Sequence, residues 1–128
     1  MKALVWTVAV WIAVFTFAPV TQAADFKTAD AELNRVYQQV VKKYADEPAF
    51  INKFKQAQRA WLKFRDAHLE SRYPAEDKRD YGSIYSLCSS NLLAELTQAR
   101  TEQLKLWLEG IEEGDGCAGS VRTPGALK

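Results

Sequence analysis

The sequence predicts an all-α protein, a small antiparallel three-helix bundle with up-down-up topology. Apolar residues recur every three or four positions in three long segments, the spacing of one helix face. Proline and glycine lie between these segments or in their terminal turns, and not in their middles. A short first connection and a longer second one suit helices that pack side by side. The length suits one small domain.

The first 23 residues predict a secretory signal peptide. Lys2 precedes an apolar run from 3 to 18, Pro19 breaks the run, and Thr21 and Ala23 place small residues at a cleavage site. The alternative is a membrane anchor, but the run is shorter than the ~20 residues a spanning helix needs. No basic stop-transfer cluster and no lipoprotein cysteine follow it. We therefore expect a periplasmic or secreted protein with no membrane association after cleavage, a helical domain over 24–113 and a flexible tail over 114–128.

The first helix is predicted over about 28–44, with Thr28 as its cap. The second is predicted over about 48–72, with Pro48 in its first turn and Tyr73-Pro74 ending it. Trp61 is expected at the centre of the core, and a lone histidine near the helix end is expected to pack or cap. An aromatic ligand pocket is the less favoured interpretation of this face. Its stripe is Phe50, Phe54, Ala57, Trp61, Phe64 and His68.

The third helix is predicted over about 83–112. Ser89-Ser90-Asn91 can interrupt it near its start or cap a later helix, because these side chains compete for backbone hydrogen bonds. Its expected buried stripe is Leu93, Leu96, Arg100, Leu104, Trp107 and Ile111.

The composition excludes several classes of function. Removal of Lys2 with the leader leaves equal numbers of basic and acidic residues, so no basic footprint for nucleic acid is present. With His68 as the one histidine, no catalytic set emerges, and we predict no enzyme, no cofactor and no metal site. A calcium loop at Glu112-Glu113-Gly114-Asp115 lacks the alternating oxygen ligands that calcium needs.

Polar residues inside the helical pattern predict an internal polar network that fixes helix register. A charge beside a buried seam needs a partner, and arginine suits fixed ion pairs. Arg65 or Arg100 is expected to meet Asp66 or Glu95. A polar recognition groove is the alternative. The expected members are Asn34, Gln58, Arg65, Asp66, Thr97 and Arg100.

Three blocks of sequence resemble the N-terminal-domain family of the lysozyme inhibitor LprI. They are ADAELNRVY at 29–37, AQRAWLKFRDA at 57–67, and GSIY at 82–85 followed by LTQART at 96–101. The resemblance implies a small exported helical protein. The family takes its name from a mycobacterial lipoprotein that inhibits lysozyme, and it supplies no inhibitory residue to carry over.

The cysteines depart from this family. Leu69 and Leu92 stand where many members have cysteine, and we expect these leucines to pack together instead. Cys88 and Cys117 favour a disulfide in an exported chain. A continuous third helix would nonetheless hold them far apart, because its length exceeds the reach of the tail. We expect a large separation, with a bend at 89–91 or a bond between chains as the alternatives.

Two functions compete. The first is an exported, non-catalytic binding protein whose partner is a lysozyme-like hydrolase, as the family resemblance implies. The second is a structural or adaptor module of the cell envelope without lysozyme activity. If the first holds, the loop from Tyr73 to Gly82 is the expected contact, although an ordinary polar connection is the simpler interpretation. Its expected partner-binding residues are Tyr73, Glu76, Asp77, Asp80 and Tyr81, and the two tyrosines are expected to be exposed.

Overall fold

The computed structural model describes residues 25–125 and confirms the all-helical fold. Three long helices follow one another, α1 (Phe26–Lys43), α2 (Pro48–Arg72) and α3 (Tyr85–Glu109). A single 3-10 turn, Lys78–Tyr81, lies between α2 and α3. None of the helices in this range is long and apolar enough to cross a membrane. The predicted signal peptide, 1–23, lies outside the described residues.

α1 lies closely along α3. Near the start of α1, Thr28 shares a small cleft with Gln98 of α3. After the end of α1, the hydroxyl of Tyr44 donates to the carbonyl oxygen of Trp107 at 3.1 Å. These contacts step along the two helices in the same direction.

α2 packs across the same pair from the other direction. Its Phe50 lies beside Trp107 near the end of α3, with ring centroids 5.9 Å apart. Further along α2, Gln58 accepts a hydrogen bond from Arg100, which lies before Trp107 in α3. His68 then faces a cleft that it shares with Leu96. Contacts that advance along α2 therefore go backwards along α3.

Local signals explain how the helices begin. Asp25, not the predicted Thr28, caps α1, because its carboxylate accepts the backbone N–H of Thr28 at 2.8 Å. This hydrogen bond satisfies one of the backbone N–H groups that have no partner within the first turn of the helix. Pro48 stands at the first position of α2, as predicted. The Ser89-Ser90-Asn91 stretch does not interrupt α3, which is continuous.

The core lies between α1 and α3 at the end where α2 starts. At its centre, apolar side chains of α1 pack with Tyr44, with Phe54 of α2 and with Leu104 of α3. The fully buried apolar side chains are Leu33, Val36, Val40, Tyr44 and Leu104. The buried face of α3 differs from the predicted stripe, since it consists of Ala94, Thr97, Thr101 and Leu104. Small side chains on this face let α1 approach closely, and the separation of packed helices depends on the side chains at the contact.

The aromatic stripe of α2 is only partly in the core. Phe54 is buried, and Trp61 is half-buried against the core cluster. Phe64 is 54% exposed, so the prediction of a continuous core stripe was wrong at this position. A strict four-three repeat drifts by about 20° per heptad on a straight helix. Two heptads after Phe50, the stripe has therefore turned away from the core.

The segment after α3 folds back on the end of α1. Val121 is buried, and the backbone N–H of Arg122 donates to the Tyr44 hydroxyl at 3.0 Å. Gly110 permits the close return of the chain, because a Cβ there would lie 2.5 Å from the carbonyl oxygen of Arg122. Composition did not predict these contacts. The flexibility expected for 114–128 stays a prediction.

Candidate functional site

The first group of polar residues surrounds Arg65. Its side chain is 11% exposed, and the guanidinium donates to Asp66 at 3.1 Å and to Asp30 at 3.2 Å. The ring of Phe26 lies 5.1 Å from the guanidinium carbon. Asn34 joins the group through Asp30, to which its amide donates at 3.2 Å. Asp30 was not among the predicted members, although its position four residues before Asn34 is a signal for such a pair.

The second group surrounds Arg100. Its Nε donates to Oε1 of Gln58 at 3.1 Å, and its Nη1 donates to Oε1 of Gln103 at 3.0 Å. Neither predicted acidic partner, Asp66 or Glu95, bonds to it in the described chain. Burial lowers the pKa of the Arg100 guanidinium below its ordinary value.

Trp61 joins the two groups. The guanidinium carbons of Arg65 and Arg100 lie 5.4 and 5.9 Å from its ring, distances typical of a cation–π contact. The structure thus brings five of the six predicted members into one continuous set of contacts. Thr97 stands apart, because its buried hydroxyl has no hydrogen-bond partner in the described chain.

A tyrosine cluster builds the connection between α2 and α3. Tyr73, Tyr81 and Tyr85 lie with their ring centroids 5.2 to 5.8 Å apart. The Tyr81 hydroxyl also accepts the backbone N–H of Ala75 at 2.7 Å. Tyr73 and Tyr81 are half-buried, which corrects the expectation that they are exposed. Paired aromatic rings of this kind add stabilisation beyond that of the apolar area they bury, and so hold the loop in place.

Charged side chains of the same connection hold its turn. Lys78 donates to Glu70 at 2.7 Å and to the carbonyl oxygen of Tyr73 at 2.6 Å. The hydrogen bond that Lys78 donates to the Glu70 carboxylate raises the pKa of Lys78. Asp77 caps the 3-10 turn, and the hydrogen bonds from Arg79 lower the pKa of its carboxyl.

Two carboxylates of the connection remain exposed. Glu76 and Asp80 make no side-chain hydrogen bond or ion pair with any residue of 25–125. The start of α3 follows directly, and there Ile84 and Leu87 are 59% and 56% exposed. We call the loop 73–82 together with Ile84 and Leu87 the bundle-end surface.

A cleft of about 460 Å³ opens beside this surface, between the end of α2 and the start of α3. His68, Arg72, Cys88, Asn91 and Glu95 line it. The cleft contains a thiol and an imidazole, but no hydrogen bond joins them in the described structure. No group of three potential metal ligands occurs within residues 25–125.

The two cysteines are not paired with each other. Cys88 is half-buried in the cleft, and Cys117 is exposed in the tail. Ser120, three residues after Cys117, accepts the indole N–H of Trp107 at 3.1 Å. The tail is therefore held near the end of α3, whereas Cys88 lies near its start.

The family model described as "Lysozyme inhibitor LprI" matches residues 20–104 of the sequence, more than half of the chain. The chain belongs to the LprI family. An uncharacterised protein of Rhizobium meliloti (strain 1021) is 37% identical over 99 residues, and the alignment covers 69% of each protein. No solved structure matches the chain.

The residues matched by the LprI family model include most of the helical bundle but not the tail. The match spans α1, the network around Arg65 and Arg100, and the whole bundle-end surface. It ends at Leu104, before the tail that contacts Tyr44. The resemblance of the three sequence blocks is thus confirmed at the level of the family.

Proposed function

We propose that this LprI-family protein is an exported, non-catalytic inhibitor of a lysozyme-type hydrolase, and that it contacts the enzyme through the bundle-end surface. Membership of a family named for lysozyme inhibition supports the type of partner. One observation supports the surface: the loop is held by its own contacts while Glu76 and Asp80 are left without partners in the described chain.

A loop that is already ordered loses little conformational entropy when it binds. The tyrosine cluster and Lys78 fix the backbone of 73–82 before any partner arrives. Rigidity of this kind improves affinity mainly by reducing the cost of ordering. In this proposal Tyr73, Asp77 and Tyr81 position the loop, and the exposed edges of the tyrosines complete the contact.

The chemistry of the surface fits a protein partner. Ile84 and Leu87 provide an apolar centre, and Glu76 and Asp80 provide an acidic rim. Interfaces commonly combine a desolvated apolar centre with a polar rim. The rim carboxylates would attract an enzyme with a basic surface and speed its association at low salt.

The test is an inhibition assay with the purified exported protein and peptidoglycan as substrate. The panel of enzymes includes a strongly basic animal lysozyme and bacterial lytic enzymes of the envelope. The double variant Glu76→Gln, Asp80→Asn should weaken inhibition several-fold at low salt and less at high salt. The matched control is Glu112→Gln, Glu113→Gln, which removes two exposed carboxylates at the other end of the bundle.

Three results are informative. Equal inhibition by the double variant and the control would exclude the acidic rim as the contact. Loss of inhibition in Leu87→Ser but not in Leu106→Ser would locate the contact at the bundle-end surface, since both leucines are exposed. Absence of inhibition by the wild-type protein across the panel would reject the inhibitor and favour the envelope adaptor.

A further inference from the structure

A second candidate site lies at the opposite end of the α2–α3 pair from the bundle-end surface. It is a pocket of about 280 Å³ between the first half of α2, the second half of α3 and the tail. Three rings form its wall, and their centroids lie 5.2 to 5.9 Å apart. They belong to Phe50, Phe54 and Trp107.

Arg100 brings an uncompensated positive charge to this pocket. Its partners in the described chain are two neutral amides, those of Gln58 and Gln103, and the face of Trp61. Nη2 makes no hydrogen bond there. A partly desolvated guanidinium is costly unless an anion pairs with it, and its planar donors suit a carboxylate. By contrast, the guanidinium of Arg65 has an acidic neighbour in Asp30.

The remaining polar groups of the pocket are also donors. Lys53 makes no hydrogen bond or ion pair with residues 25–125. Ser120 uses its oxygen to accept from Trp107, so its own proton is available to a ligand. The sequence from Pro48 to Arg65 contains no acidic residue, so the part of α2 that lines the pocket carries only basic charges.

We propose that this pocket binds a small organic carboxylate with a flat apolar body, whose ring lies against the aromatic wall and whose carboxylate meets Arg100, Lys53 and Ser120. An apolar cavity with a few convergent polar groups is the usual form of a small-molecule site. Its volume admits about one ring and its acid group. The site is independent of the proposed inhibition, because it shares no residue with the bundle-end surface.

The binding test uses para-fluorobenzoate as the probe and fluorine NMR of the probe with the exported protein. The neutral isostere para-fluorobenzamide tests the need for charge, and acetate as a competitor tests the need for the ring. We expect fluorobenzoate to bind with a dissociation constant on the order of millimolar, fluorobenzamide to bind at least about tenfold more weakly, and acetate to compete poorly.

Variants locate the bound probe. Lys53→Gln removes an exposed cation without a described partner, so the fold stays intact, and affinity should fall about two- to fivefold. Lys55→Gln is the matched control, since Lys55 is exposed two residues away and does not line the pocket. Arg100→Gln, checked for folding by circular dichroism, should weaken binding at least about tenfold.

Two sets of results overturn the proposal. The first is absence of fluorobenzoate binding, or equal binding of fluorobenzoate and fluorobenzamide. The second is an equal effect of Lys53→Gln and Lys55→Gln. Loss of lysozyme inhibition in the same Lys53 variant would show instead that the two sites are not separate, and it would overturn the independence stated above.

Discussion

Arg122 of the tail lies over the ring of Tyr44 at the end of α1, with its guanidinium carbon 4.5 Å from the ring centroid. The same guanidinium donates to the carbonyl oxygen of Lys43 at 3.1 Å and to Asp46 at 2.7 Å. A residue 78 positions away from Tyr44 thus closes the end of the bundle. The Tyr44 hydroxyl is the centre of this arrangement, since it accepts from Arg122 and donates to Trp107.

Tyr44→Phe should lower the free energy of unfolding by about 1–3 kcal/mol, because it leaves a backbone N–H and a carbonyl unpaired in a partly buried place. Denaturant unfolding measures the change. Tyr37→Phe is the control, since the Tyr37 ring stacks on Phe54 at 5.5 Å but its hydroxyl has no described hydrogen bond. Equal effects of the two variants would contradict the role given to the Tyr44 hydroxyl.

The contact between the tail and α1 should weaken in acid. The hydrogen bond from Arg122 lowers the pKa of Asp46 below its ordinary value of 3.8 in the folded protein. A carboxyl whose pKa is lower in the folded than in the unfolded protein stabilises the fold at pH values above its unfolded pKa. This contribution is lost as the pH falls through the folded pKa. We therefore expect the contact between the tail and the end of α1 to weaken as the pH falls below about 3.8.

Fluorescence of Trp107 can follow this weakening, because its indole donates to Ser120 of the tail. Asp46→Asn should remove most of the acid transition in this signal. Glu113→Gln should keep it, since Glu113 is exposed and has no described partner. A transition that survives in Asp46→Asn would assign it to another carboxyl.

Trp61 and Phe64 were both predicted in the core, and the structure separates them. Trp61→Ala should cost about 3 kcal/mol, since it removes a ring that packs on the core and on two guanidiniums. Phe64→Ala should change stability by less than about 1 kcal/mol, because the Phe64 side chain is mostly exposed. Denaturant midpoints of the two variants give the comparison, and equal losses would show that Phe64 also packs in the core.

Local signals made α2 predictable. Pro48 can start a helix but not continue one, and the Tyr73-Pro74 pair disfavours helix at its own position. Both act within one turn, so the bounds of α2 agree with the prediction. The sequence also indicated that Arg65 and Arg100 need polar partners, since a guanidinium beside an apolar stripe is costly to bury alone. It did not identify Asp30 or Gln103 as those partners.

Long-range packing decided what the sequence could not predict. The buried face of α3 includes Thr97 and Thr101 instead of Leu93 and Leu96, because the close approach of α1 selects small side chains. Hydropathy alone ranks the two threonines below the two leucines. The contact of Arg122 with Tyr44 has no local signal at all. At the bundle-end surface, loop length and charge predicted exposure, but the mutual packing of Tyr73 and Tyr81 reduced it.

Thr97→Val should stabilise the protein by about 1 kcal/mol. The Thr97 hydroxyl is fully buried and has no partner in the described chain, so its removal recovers a desolvation cost at nearly constant shape. Thr101→Val is the control, because the Thr101 hydroxyl donates to the Thr97 carbonyl oxygen at 2.9 Å and its loss should be neutral or destabilising. Thermal unfolding of both variants measures the difference. A destabilised Thr97→Val would indicate that a buried water pairs with the hydroxyl.

Cys88 and Cys117 should both titrate as free thiols in the native monomer. α3 is continuous from Tyr85 to Glu109, and Cys88 lies about 28 Å along it from Trp107 at ~1.5 Å per residue. The three residue steps from Cys117 to the anchored Ser120 extend at most about 11 Å. A disulfide needs Cα atoms within about 7 Å of each other.

A thiol reagent should react quickly with the exposed Cys117 and slowly with the half-buried Cys88, and Cys117→Ser should remove the fast phase. A monomer without titratable thiols would mean that the two cysteines are bridged and that α3 bends in solution.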